Sequence, residues 1–162
     1  MRTALAAVLA SLFLAACSSI DCPLNNRVYA TFKLAGTVTT LTDSLSVATT
    51  RTLADGGDTV LLNKALATDS FTLPLSYAHE ADTYFFTLSK TDTALVVVDT
   101  VVVVKENQPH FESVDCNPTF FHTLTGVSHT GHAIDSIVIN NPKVTYNDTQ
   151  PHFLLYLKGS DD

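Results

Sequence analysis

Apolar residues recur at every second position along most of this chain, and that rhythm confines it to strands. Successive side chains of an extended backbone point to opposite faces, so such alternation gives each strand one apolar side and one polar side. Val28, Ala30, Phe32 and Leu34 share one face of a strand, with Tyr29, Thr31 and Lys33 on the other. Phe71, Leu73 and Leu75 alternate with Thr72, Pro74 and Ser76, and Phe153, Leu155 and Leu157 repeat the pattern. Pro74 has no amide to donate, which places its strand at a sheet edge. The stretch from Leu95 to Val104 is interrupted only by Asp99 and Thr100 and reads as a central strand buried on both faces. The expected fold is all-β: a single antiparallel β-sandwich, immunoglobulin-like, of about seven to nine strands.

The first residues follow another rule. Arg2 precedes an apolar stretch, Ala4 to Ala16, in which Ser11 is the only polar side chain. A spanning helix needs about 20 apolar residues, so this shorter stretch reads as a secretory signal helix that is removed after export. Leu14-Ala15-Ala16-Cys17 resembles the bacterial lipobox. The resemblance implies a diacylglyceryl thioether on Cys17, cleavage before it, and further acylation, palmitate being a typical chain, with the lipid bilayer as the first partner. More than one acyl chain makes such anchoring stable. The expected organisation is a signal peptide over 1–16, a lipid anchor and short tether over 17–25, and a sandwich over 26–159. Removal of the signal leaves about 146 residues, enough for one domain with a stable core.

Three cysteines are an odd number for an exported chain. Lipidation of Cys17 leaves Cys22 and Cys116 as a pair in an oxidising compartment, where a disulfide persists. The alternative is two free thiols, one of them buried and inert. The whole chain carries a formal charge of −7, and loss of Arg2 makes the mature form more negative. Without clusters of Lys and Arg, neither nucleic acid nor anionic lipid is an expected partner. Ser18, Ser19 and Ile20 lack the acidic cluster associated with surface export, which points to an outer-membrane anchor facing the periplasm, the cell surface being the alternative.

Asp followed by Ser or Thr occurs eight times, at Asp43, Asp58, Asp69, Asp82, Asp92, Asp99, Asp135 and Asp148, where roughly three would be expected by chance. An Asp side chain ends a turn by bonding to amides just ahead, and Ser or Thr then enters a strand. These pairs therefore mark strand starts. Five of them also fit the Asp-Ser/Thr-aliphatic O-glycosylation acceptor of Bacteroidota, with Ser44, Thr59, Thr93 and Ser136 as the accessible candidates and Thr100 the least reachable.

Several segments together resemble an uncharacterised lipoprotein family of Bacteroidota, a domain of unknown function. They are Asp21-Cys22, Asp99-Thr100, Val114-Asp115-Cys116, the run from Ser128 through Gly131 and His132 to Ile137, and Asn140 to Val144. Family members often carry Gly after the second cysteine where this chain has Asn117, another residue that tolerates a left-handed backbone. The resemblance implies an envelope location and a β-sandwich, and no particular activity.

No catalytic residue, cofactor or metal is expected. His122, His129 and His132 are of the right type for zinc, but residues three apart on a strand face opposite sides and no acidic or thiol ligand is fixed nearby. Asp55-Gly56-Gly57-Asp58 lacks the alternating ligands of a calcium loop and reads as a turn. No nucleophile elbow or phosphate loop occurs. The expected function is a non-catalytic interaction or structural module with an envelope protein partner. The alternative is a small-ligand or glycan-binding lipoprotein, whose stacking would fall to Tyr29, Tyr77, Tyr84, Tyr146 and Tyr156.

Overall fold

The computed structural model describes residues 22, 27–50, 58–90, 94–146 and 148–159. Among these there is no helix. Ten strands occur: β1 (Tyr29–Ala35), β2 (Ser44–Thr49), β3 (Thr59–Ala65), β4 (Ser70–Pro74), β5 (Ala81–Ser89), β6 (Val96–His110), β7 (Thr119–His129), β8 (Ile134–Ile139), β9 (Lys143–Val144) and β10 (Phe153–Leu157). They form a four-stranded sheet in the order β4-β1-β10-β8 and a six-stranded sheet in the order β3-β2-β5-β6-β7-β9. Every neighbouring pair is antiparallel except β1 and β10, which run parallel with Phe32 opposite Phe153.

The all-β sandwich expected from the alternation is therefore present, with ten strands instead of seven to nine. Its four-stranded sheet matches the size of one immunoglobulin sheet, and its six-stranded sheet is larger than the other. The signal helix, Cys17 and most of the tether lie outside the described residues.

The inward faces match the sequence pattern: Val28, Ala30, Phe32, Leu34, Leu73, Phe153 and Leu155 are all buried. Phe32 stacks on Phe71 and Phe153, with centroids 5.3 and 4.5 Å away, and meets Phe86 of the opposite sheet edge-on at 5.8 Å. Each such ring contributes roughly 1.5 to 3 kcal/mol by burial, so this cluster joins the two layers.

β4 is an edge strand, as Pro74 requires. β6 is central, flanked by β5 and β7, but it is buried on one face only. Val101 and Val103 are wholly buried, while Val98 and Val104 are 47% and 42% exposed. An apolar run thus reported valine-rich β propensity as much as burial. The inward positions of the same strand also hold Asp99 and Lys105.

The Asp-Ser/Thr pairs are strand starts at three sites, where Ser44, Thr59 and Ser70 open β2, β3 and β4. Asp82 and Asp135 stand second in β5 and β8, and Asp99 lies within β6, where it has another role described below.

Candidate functional site

The loop between β6 and β7, residues 111–118, carries Cys116, which forms a disulfide with Cys22. Its Cα atoms are 5.4 Å apart and its sequence separation is 94. The bridge pins the segment ahead of β1 to a hairpin tip. Cys116 is buried, whereas Phe111 and Val114 beside it are 62% and 96% exposed.

Behind this tip, polar side chains occupy inward positions that alternation would assign to the core. The Lys105 ammonium lies 2.9 Å from Asp82 Oδ2 and donates to the His79 carbonyl at 2.8 Å. Asp82 also accepts the Ser76 amide at 3.0 Å, and the Tyr84 hydroxyl donates to the Pro74 carbonyl at 2.9 Å. Asn107 donates to the Tyr77 and His79 carbonyls, and its Oδ1 lies 2.7 Å from His122 Nδ1. Burial, reinforced by the Lys105 charge, lowers the His122 imidazole to about 4. Burial and the Asp82 carboxylate push the Tyr84 phenol far up. His122 and Tyr84 are thus neutral at pH 7. Asp82, Lys105 and Asn107 thus hold the β4–β5 loop, residues 75–80, through the Ser76 amide and the Tyr77 and His79 carbonyls.

A second polar cluster links β1 to β10. His152 is buried and its Nδ1 accepts the Thr31 amide at 2.9 Å, so Nε2 carries the proton and faces Asp148 Oδ2 at 3.1 Å. Burial alone would raise Asp148, but the Thr145 amide and hydroxyl and His152 outweigh it and lower the carboxyl. With both ring nitrogens committed, the His152 imidazole braces the fold and has no lone pair free to accept a substrate proton. Tyr29 and Tyr146 flank it, with Arg27, around a concavity of about 190 Å³.

At the opposite end, Asp99 is wholly buried and accepts the Thr130 hydroxyl and the amides of His132, Ala133 and Ile134 at 2.7 to 2.9 Å. Burial raises its carboxyl, yet these donors prevail and hold it below the usual range. Two of the segments that carried the family resemblance are thereby one structural unit.

The three histidines are not brought together. His122 and His129 are seven residues apart on β7, about 23 Å at strand rise, and His132 Nδ1 sits 3.2 Å from Asp99. Among the described residues no group of three His, Cys, Asp or Glu is gathered for a metal. Of the glycosylation candidates, Ser44 and Ser136 are half-buried strand residues, the Thr59 hydroxyl is buried without a hydrogen-bond partner, and Thr93 lies outside the described residues. Tyr84 is core, Tyr156 is half-buried, and Tyr29, Tyr77 and Tyr146 are exposed.

The family model described as a family of unknown function, DUF6452, matches residues 44–157. The chain belongs to this family. The DUF6452 match spans β2 to β10, and so includes Asp99, Lys105, Cys116 and the β7–β8 loop, while β1 and Cys22 precede it. No curated protein and no solved structure gives a significant match.

Sequence reading missed the Asp82–Lys105 and Asp148–His152 pairs. A usable signal was parity: Lys105 keeps step with buried Val101 and Val103, and Asp82 with Tyr84 and Phe86.

Proposed function

We propose that this DUF6452 member is a Bacteroidota cell-envelope lipoprotein, anchored through acylated Cys17, that acts as a non-catalytic interaction or structural module. The observation that carries the reading is the Cys22–Cys116 disulfide. It consumes the other two cysteines and leaves Cys17, at the end of the lipobox-like Leu14-Ala15-Ala16, as the one available for lipid. Commitment of both His152 nitrogens supports a non-catalytic role. The partner is an envelope protein beside an outer membrane, on its periplasmic face.

Two measurements test this. The N-terminal peptide of the chain extracted from membranes should begin at Cys17 and carry the added mass of diacylglycerol and acyl groups, and an unmodified Cys17 refutes the anchor. Crosslinking in intact envelopes should return one reproducible partner, and repeated failure refutes the interaction role. The alternative, binding of a small ligand or glycan, is favoured by the concavity between Tyr29 and Tyr146. It would be supported by saturable titration of a soluble oligosaccharide against tyrosine fluorescence.

A further inference from the structure

Four Phe or Tyr side chains are more than a third exposed among the described residues: Tyr29, Tyr77, Phe111 and Tyr146. All four lie at the disulfide end of the sandwich. Tyr77 stacks on Phe120, one residue into β7, at 5.1 Å. Tyr146 meets Phe121 at 5.1 Å and bonds through its hydroxyl to Thr119. Tyr29 shares the concavity of Tyr146, and Phe111 follows the last residue of β6. Exposed apolar residues elsewhere, such as Leu95 and Val96 at the far end of β6, are aliphatic.

Rings with an apolar body and a polar tip are the side chains that settle at a membrane–water interface. Chain length supplies the second argument. Cys17 and Cys22 are five residues apart, which at full extension is at most about 18 Å. If Cys17 carries lipid, the disulfide, with 5.4 Å between its Cα atoms, therefore holds the β6–β7 tip within about 24 Å of the headgroups. Charges at this end include Glu112 and Asp115 on the tip and Glu80, Arg27 and Lys143 around it, a mixed set without a basic cluster.

We propose that this aromatic end rests in the headgroup layer of a zwitterionic bilayer, with Phe111 and Val114 reaching deepest and β6 standing upright on the membrane. The proposal rests on the lipoprotein reading above and adds an orientation to it.

The chain contains no Trp, so single tryptophans report position without background. Phe111→Trp and Val114→Trp replace exposed side chains, and Val96→Trp marks the far end of β6. Each lipidated variant is reconstituted in phosphatidylethanolamine–phosphatidylcholine vesicles containing brominated acyl chains. The tip tryptophans should shift to the blue and lose most of their emission, while Val96→Trp keeps its own. Replacing part of the lipid with phosphatidylglycerol should weaken the quenching, since Glu112 and Asp115 repel anionic headgroups. Tip tryptophans as unquenched as Val96→Trp in a chain that is acylated and floats with the vesicles overturn the contact and leave the anchor standing. A chain whose mass shows no acyl group, and which does not float, overturns both. Quenching relieved by a soluble oligosaccharide assigns the aromatic end to glycan and overturns the bilayer contact.

Discussion

The Asp99 carboxylate, inside β6, lies 2.8 Å from the Thr130 hydroxyl across the junction with the β7–β8 loop. Thr130 completes the link by accepting the Thr100 amide at 2.9 Å and donating its own to the Thr100 carbonyl at 3.0 Å. One buried carboxylate thereby sets the course of the chain from β7 in one sheet to β8 in the other. Asp99→Asn turns an amide donor toward amides that need an acceptor. It should cost about 3 kcal/mol or more, read as a lower urea midpoint with unchanged slope. A loss below about 1 kcal/mol would show that the loop closes without the charge.

Lys105 and Asp82 form a buried pair at 2.9 Å. Removing one partner leaves the other charged and enclosed, so Lys105→Met and Asp82→Asn should each lose about 3 to 5 kcal/mol. The double variant should lose clearly less than the sum, and simple additivity would deny the coupling.

Acid should weaken the fold in two stages. The folded His122 is lowered to about 4 from 6.5, so between these values the unfolded chain binds a proton that the folded chain refuses. Stability must then fall as pH drops through that window, by on the order of 3 kcal/mol at its lower end. Asp99 and Asp148 are held below the ordinary 3.8, so their contribution persists above that value and disappears as pH falls through their lowered values. Urea melts from pH 7 to pH 3 should show both stages, and His122→Gln should remove the first alone.

Opening the disulfide by Cys22→Ser releases a loop of separation 94. The chain-entropy model expects a loss of about 4 to 5 kcal/mol, and calorimetry of the variant against the parent checks it. The parent should show no free thiol at Cys22 or Cys116 when alkylated under denaturing conditions.

How far these features were readable follows from the forces behind them. Alternation is a property of single strands, so the buried faces of β1, β4 and β10 and the edge position of Pro74 were plain. Pairing order is set between distant segments. The parallel partnership of Phe32 with Phe153 and the four-plus-six division leave no local trace. Asp99 was visible as an interruption in an apolar run, but its donors come from residues 31 to 35 positions later. Lys105 was hidden because a long side chain at an inward position looks like a strand end until Asp82 and the His79 carbonyl are found facing it. The cysteine pairing was legible because counting needs no geometry.

The bridge also decides how the molecule answers a pull between its ends. Everything from Cys22 to Cys116 is enclosed in a covalent ring, so tension applied ahead of Cys22 crosses directly to the hairpin tip and bypasses β1 to β6. Only the chain beyond Cys116 can be drawn out while the bridge stays oxidised. The extension is then that of β7 to β10 alone, and reduction would suddenly release the stored length.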